Sequence, residues 1–239
     1  MPQTAEQFIK ELNTYQSDEE KQKIQRYFKS GKDEFMGVKM GNVFKLAKQY
    51  NDMPITEIEK LLESDIHEVR AGAISIMDKA SRNKGIAPER IKEFFDLYMR
   101  RHDRINNWDL VDLGCLYMTG CYLYDKPKDI LYKLAKSDVL WERRTAMLST
   151  CYFIRKGDLD DTFKLAEILV NDKEELVQKA VGWMLRFAGD KDSERLDTFL
   201  DKYAATMPRI TLRGAIEKLD KTKREYYLKL KPRHTGSME

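Results

Sequence analysis

The octapeptide INNWDLVD (105–112) brings together residue types that could do chemistry. Trp108 and Asp112 are four residues apart, and in a helix this spacing places both side chains on one face. An indole face attracts cations and a carboxylate stabilises developing positive charge, so the pair suits a cationic substrate. The alternative is a solvated aspartate beside a half-buried tryptophan, which the octapeptide taken alone favours.

A second carboxylate in this stretch, Asp109, has a simpler interpretation. Asn106 followed by Asp109 resembles a helix start, with an N-cap residue and a first-turn acid that faces the helix dipole. Asp109 is turned about 100° away from Trp108. We therefore expect Asp112 to carry the chemistry, and Asp109 to contribute about 0.3–1 kcal/mol to the helix start.

Composition indicates a globular protein. The chain has 239 residues, of which 42% are hydrophobic and 35% charged, and its net charge of +3 permits a nucleic-acid partner without requiring one. No apolar run approaches the roughly 20 residues of a membrane span, and we expect no signal peptide. These observations predict no membrane association and a cytoplasmic location.

Cysteine and histidine positions argue against a metal centre. The three cysteines have no CxxC spacing and are expected to be reduced thiols; they are Cys115, Cys121 and Cys151. The three histidines are too scattered to complete a metal site with them; they are His67, His102 and His234. We expect no metal and no cofactor.

Apolar residues recur at three- and four-residue intervals, and alternating strand patterns are absent, so the pattern predicts an all-α fold. The clearest helical stretches are 91–99, 162–170 and 195–203. Helix-start signals recur at Ser17 with Glu20, at Pro54, at Pro88, and at Asp172 with Glu175.

A repeat appears when SDIHEVRAGAISIM, SDVLWERRTAMLST and NDKEELVQKAVGWML are aligned. Each stretch has an aspartate eight residues before an alanine, in the pairs Asp65–Ala73, Asp138–Ala146 and Asp172–Ala180. Asp103 with Val111 supplies the intervening copy, which gives steps of 38, 35 and 34 residues, and a further 35 residues lead from Ala180 to Ala215. This period predicts a HEAT-like (ARM-type) α-α superhelix with a concave face. We expect a single domain over 1–230 and a frayed tail over 231–239.

The repeat register places Trp108 and Asp112 on the same surface as Arg144 and Trp183, from later repeats. Read singly, Trp183 is more often plain core and Arg144 is more often a salt bridge between repeats. Four further cations fall close to these positions, and together they predict a basic concave stripe: Arg143, Lys179, Arg186 and Arg213.

The same residues carry a family resemblance. The chain resembles the AlkD-type alkylpurine DNA glycosylases at five motifs: RYFKSG…FMGVK (26–39), WDxVD (108–112), WxxRxA (141–146), QKAVGWxLR (178–186) and LRGAIEKL (212–219). The resemblance implies a HEAT-like fold and a monomer that removes cationic N3- or N7-alkylated purines from double-stranded DNA. The chain departs from the family's pattern at Lys39-Met40-Gly41, where relatives commonly have a polar residue and a proline.

By this resemblance Asp112 matches the catalytic aspartate, Trp108 and Trp183 the aromatic wall, and Arg144 the DNA-contacting arginine; Tyr27 is a further DNA contact. An alkylated purine already carries positive charge, so it needs little help from a general acid, and one carboxylate suffices where ordinary glycoside hydrolysis uses two. The resemblance also implies that the lesion stays largely stacked and is not flipped into a pocket.

Two other functions stay open at this stage. One is a non-catalytic HEAT-like protein that binds branched or damaged DNA, although the presence of the aspartate, both tryptophans and the arginine argues against it. The other is a protein–protein scaffold, which predicts no salt-dependent DNA binding, whereas both DNA interpretations predict it.

Overall fold

The computed structural model describes residues 3–27 and 33–231, with only the main chain at Tyr27. The chain divides into two compact units, Met1–Tyr122 and Leu123–Glu239. The described residues are helical and contain no β-strand, apart from one isolated bridge between Glu34 and Ile66. The all-α prediction is therefore confirmed. The predicted tail, beyond Lys231, lies outside the described residues, and the single domain predicted over 1–230 stays a prediction.

The first unit is built around one buried helix, α5. Residues of this helix are buried on every side because α3, α4 and α7 all pack against it. The helices of this unit are α1 (Ala5–Asn13), α2 (Asp18–Tyr27), α3 (Met40–Ala47), α4 (Ile55–Leu62), α5 (His67–Ser81), α6 (Pro88–Arg100) and α7 (Trp108–Gly114). Short 3₁₀ turns cover Lys48–Tyr50 and His102–Arg104. After α7 the chain continues through a π-helical segment, Cys115–Gly120, into α8 (Cys121–Leu123).

The second unit is a series of helix pairs. Its helices are α9 (Asp129–Leu134), α10 (Leu140–Lys156), α11 (Asp160–Leu169), α12 (Glu175–Gly189), α13 (Ser193–Tyr203), α14 (Arg209–Ala215) and α15 (Lys221–Lys229). α10 packs against α11 and α12, and α12 packs in turn against α13 and α14. Buried apolar side chains between successive pairs form a continuous core.

The aspartate–alanine recurrence marks the second helix of each pair. The five predicted small or apolar positions fall in α5, α7, α10, α12 and α14, and all are at most 1% exposed: Ala73, Val111, Ala146, Ala180 and Ala215. α12 and α14 approach each other closely, and a Cβ added to Gly182 would stand 2.7 Å from the Thr211 carbonyl oxygen. Small side chains are needed there because the two backbones nearly touch.

The predicted helix starts hold at three of four places. The Ser17 hydroxyl accepts from the Glu20 N–H at 3.4 Å, Pro54 precedes α4, and Pro88 is the first residue of α6. At the fourth, Glu174 rather than Asp172 occupies the N-cap position of α12. The Asp172 prediction is wrong because its carboxylate accepts hydrogen bonds from the Glu174 N–H and from Arg143 instead.

Candidate functional site

α7 carries the two residues on which the sequence argument rests. Asn107 caps this helix, since its side-chain oxygen accepts from the Trp108 N–H at 2.8 Å. The cap predicted at Asn106 is therefore wrong: the Asn106 amide instead donates to the Asp33 carboxylate at 3.2 Å. Asp112 stands beyond the first turn, as expected, and capping does not account for it.

The direction of α7 is fixed by its buried face. Leu110, Val111 and Gly114 are buried, and helix geometry puts Trp108 and Asp112 on the opposite side, where both are partly exposed. A Cβ on Gly114 would stand 2.4 Å from the Tyr98 ring, so only glycine lets α6 and α7 come this close. The indole and the carboxylate thus share the accessible face of a closely packed helix.

Asp109 points to a different environment. One carboxylate oxygen lies 2.7 Å from Nε2 of the buried His67, and the other accepts from the Leu110 N–H at 2.9 Å. The sequence interpretation of Asp109 as a simple first-turn acid is incomplete, because its main partner is a histidine 42 residues earlier in the chain. The carboxylate of Asp109 is therefore engaged with His67 and with the start of α7.

His67 belongs to a buried charge cluster that the sequence argument missed. Its Nδ1 lies 3.3 Å from the Asp33 carboxylate, whose other oxygen accepts from Arg70 at 2.6 Å. Burial opposes protonation of His67, but hydrogen bonds to Asp109 and Asp33 outweigh it and raise the pKa of the imidazole to about 9. Burial likewise opposes ionisation of Asp33, yet His67 and Arg70 hold the pKa of its carboxyl well below the usual range.

The next residue along, Glu68, fixes the loop before α3. Its buried carboxylate accepts three backbone N–H groups, from Met36, Gly37 and Val38, at 2.8–3.2 Å. Gly37 has φ +88°, and a Cβ there would stand 2.4 Å from the Ser17 carbonyl oxygen. The run HEVR (67–70) could have indicated these buried contacts from the sequence. Charged residues in the first turn of a helix that is buried on every side must be paired.

The helix containing Asp112 changes its winding at Cys115. Residues Cys115–Gly120 are π-helical, and within them the Thr119 hydroxyl donates to the Cys115 carbonyl at 3.0 Å. Single π-turns of this kind occur frequently at functional sites. Nothing in the sequence analysis predicted this segment.

In the second unit, Trp183 stands in an open cleft of about 430 Å³ between α12 and α14. The lining residues include four that the sequence placed on one stripe, namely Lys179, Trp183, Arg186 and Arg213, together with Ile210, Gly214 and Glu217. Trp183 is partly exposed, so the alternative of plain core does not describe it. The structure therefore brings these four predicted residues together.

Carboxylates offset part of the positive charge in this cleft. Lys179 pairs with Glu175 at 2.6 Å, and Arg186 pairs with Glu217. Arg213 is exposed on α14. Because Glu175 and Glu217 are themselves well exposed, at 66% and 59%, an incoming anion can replace them at small cost.

The neighbouring arginines of α10 are both held by partners within the second unit. Arg143, predicted to contact DNA, forms the salt bridge between repeats, with its Nε 2.6 Å from Asp172 and a further bond to the Ser137 carbonyl. Arg144, for which that salt bridge was the alternative, is 5% exposed and donates to the Leu176 carbonyl. The one-residue difference reflects the 100° between successive helical side chains.

The structure describes only part of the N-terminal stretch that carries the family resemblance, residues 26–39. Tyr27 ends α2, and its side chain lies outside the described residues, as do residues 28–32. Lys39 stands just before α3, with its amine 3.7 Å from Glu20, and α3 begins at Met40 without a proline.

Residues 3–27 and 33–231 contain no group of three or more His, Cys, Asp or Glu side chains arranged to hold a metal ion. No helix in the same residues combines the length and apolar character needed to cross a bilayer.

A family model described as DNA alkylation repair enzyme matches residues 8–219. This chain belongs to that family. The match covers both units and every residue that the sequence analysis singled out on α7, α10, α12 and α14. A comparison with curated proteins gives no significant match.

The fold of this DNA alkylation repair family member is shared with a solved structure. A protein described as "predicted DNA alkylation repair enzyme from Enterococcus faecalis" superposes with a TM-score of 0.68 at 19% identity, over 86% of this chain and 97% of that one. The HEAT-like fold predicted from the repeat is thereby confirmed.

Proposed function

We propose that this DNA alkylation repair family member is a DNA glycosylase that hydrolyses the N-glycosidic bond of cationic N3- and N7-alkylated purines in duplex DNA. The observation that carries the proposal lies on α7, where Trp108 and Asp112 share a partly exposed face beyond the first turn of the helix. A carboxylate on an open face beside an indole suits a cationic nucleotide.

The proposed chemistry needs one carboxylate. As the bond between C1′ and the purine breaks, its electron pair stays with the base and neutralises the positive charge that alkylation had placed there. Asp112 stabilises the cationic sugar that remains. Water then adds to C1′, and its proton passes to the Asp112 carboxylate, which completes a hydrolysis without a separate general acid.

The other predicted residues are assigned to binding. Trp108 and Trp183 each offer a π face to a cationic nucleotide, at about 0.5–2 kcal/mol per well-placed contact. The cations are assigned to backbone phosphates, which position a duplex without reading its sequence; they are Arg143, Arg144, Lys179, Arg186 and Arg213. Tyr27 is assigned to the same role. For Arg143 and Arg186 this assignment requires exchange of a carboxylate partner for a phosphate.

The test is incubation with duplex DNA containing N7-methylguanine, followed by detection of the free base. Release that depends on enzyme concentration is expected, and undamaged duplex serves as the control. Salt-dependent duplex binding without release would support the non-catalytic DNA-binding alternative, and absence of both would support a protein–protein scaffold.

A further inference from the structure

His67 is a buried histidine with a carboxylate at each ring nitrogen. Its side chain is 1% exposed, with Nδ1 3.3 Å from Asp33 and Nε2 2.7 Å from Asp109. A neutral imidazole carries one N–H and can donate to only one of these groups, whereas an imidazolium donates to both. The geometry therefore requires the charged form for both contacts to be made as hydrogen bonds.

The charges around His67 balance. Arg70, on the same helix, donates to Asp33 at 2.6 Å and to the Ser64 carbonyl at 2.7 Å. Two cations, His67 and Arg70, thus face two carboxylates, Asp33 and Asp109, and the ring of Phe35 lies 5.4 Å from the imidazole. The pKa of about 9 for His67 agrees with this arrangement.

The cluster holds the start of α7 from two directions. His67 binds Asp109, which follows Trp108 and precedes Asp112 by three residues. Asp33 accepts from the N-cap residue, Asn107, at 3.5 Å, and from Asn106 at 3.2 Å. Both ends of the imidazole contact groups that fix the first turn of the helix that bears the candidate site.

We infer that His67 is a positioning residue: by holding Asp109 and Asp33 together, its imidazolium sets the direction of the first turn of α7 and hence of Trp108 and Asp112. This inference rests on the proposed function. Loss of the ring proton removes the hydrogen bond from His67 to one of the two carboxylates, and the first turn of α7 is then held by fewer contacts. Misplacement of a reacting group by about 1 Å can cost on the order of 100-fold in rate.

The experiment measures single-turnover release of N7-methylguanine, from about pH 6.5 to about pH 9.5, with the enzyme-free release subtracted at each pH. The variant is His67→Gln, and the matched control is His102→Gln, another buried histidine of the same unit, which stands edge-on to Tyr98. For the parent we expect the rate constant to fall as pH rises through about 9, the pKa of His67. His67→Gln should be slower by about 10- to 100-fold, without that alkaline fall, and with unchanged affinity for undamaged duplex. His102→Gln should keep the parental pH profile.

Spectroscopy separates this inference from the proposed function. The indole N–H resonance of Trp108 in the parent should shift with the same midpoint as the imidazole C–H resonances of His67, whether or not the protein releases base. If base release fails but the two resonances titrate together, the proposed function is wrong and the positioning stands. If folded His67→Gln releases base at the parental rate, or if the Trp108 resonance ignores the titration in the parent, the inference is overturned. The parent titration decides the matter even where the variant does not fold.

Discussion

The buried charge cluster around His67 in the first unit differs from the charged cleft beside Trp183 in the second. In the first unit the side chains of Asp33, His67 and Arg70 are at most 5% exposed, and His67 and Arg70 both contact Asp33. In the second unit the carboxylates paired with Lys179 and Arg186 are more than half exposed. Buried charges must keep their partners, because an unpaired ion in the interior is costly, whereas exposed pairs exchange partners readily. The first arrangement serves to hold a helix in place, and the second leaves cations available to an anionic ligand.

The largest expected effect tests the buried charge cluster around His67. Arg70→Met removes the cation 2.6 Å from Asp33 and leaves a buried carboxylate with one partner fewer. We expect a loss of about 3–5 kcal/mol in the free energy of unfolding, measured by urea denaturation. The control is Lys179→Met, which removes one partner of an exposed pair and should cost under about 1 kcal/mol. Equal losses in both variants would contradict the distinction between the units.

The next effect compares the two aspartates of α7. Asp112→Asn keeps the shape of the side chain but removes the negative charge that the sugar cation needs, so single-turnover release of N7-methylguanine should fall by about 10²–10³-fold with duplex affinity retained. Asp109→Asn should lose less rate and more stability, about 1.5–3 kcal/mol, because it breaks a hydrogen bond to a charged histidine. Parental activity in Asp112→Asn would rule out the assignment of Asp112 as the catalytic carboxylate.

A third effect is the pH dependence of stability. The pKa of His67 rises from 6.5 to about 9 on folding, so its contribution is fully present below pH 6.5 and is lost as pH rises through 9. The shift corresponds to about 3 kcal/mol, seen as a falling denaturation midpoint between those pH values. The decrease in the denaturation midpoint should be smaller in His67→Gln and retained in His102→Gln. A parent that is equally stable at both ends of this pH range would refute the predicted contribution of His67.

The smallest expected effect tests the exposed cations of the cleft beside Trp183. Arg213→Gln removes an exposed cation from the cleft beside Trp183. If Arg213 meets a phosphate, the slope of log affinity for undamaged duplex against log salt should decrease by about one. Lys202→Gln, which removes an exposed lysine of α13 that pairs with Glu167 of α11, should leave the slope unchanged. An unchanged slope in Arg213→Gln would remove this residue from the proposed interface.

What the sequence could predict is what depends on local spacing. Trp108 and Asp112 share a face because four residues make about one turn, and Pro54 and Pro88 mark helix starts through their fixed φ. The alanine recurrence agrees with the structure because each helix pair packs against the next at the same position of the repeat.

Interactions between distant segments could not be predicted in this way. The His67–Asp109 contact joins residues 42 positions apart, and Asn106 loses the capping role to Asn107 because a distant Asp33 binds its amide. The choice between Arg143 and Arg144 for the repeat salt bridge depends on how α10 is rotated, and packing sets that rotation.

The π-helical turn after Asp112 has a consequence for chain length. Each backbone N–H in such a segment reaches five residues back instead of four, so the segment holds more residues than an α-helix of the same rotation would. Side chains before Cys115 and after Gly120 are therefore out of phase, by about 100° for each extra residue. A single-residue deletion between them would restore a regular helix and turn the carboxylate of Asp112 away from its present direction relative to Cys121. The number of residues in this segment, as much as their identity, sets the angle between the Asp112 side chain and the side chains from Cys121 onward.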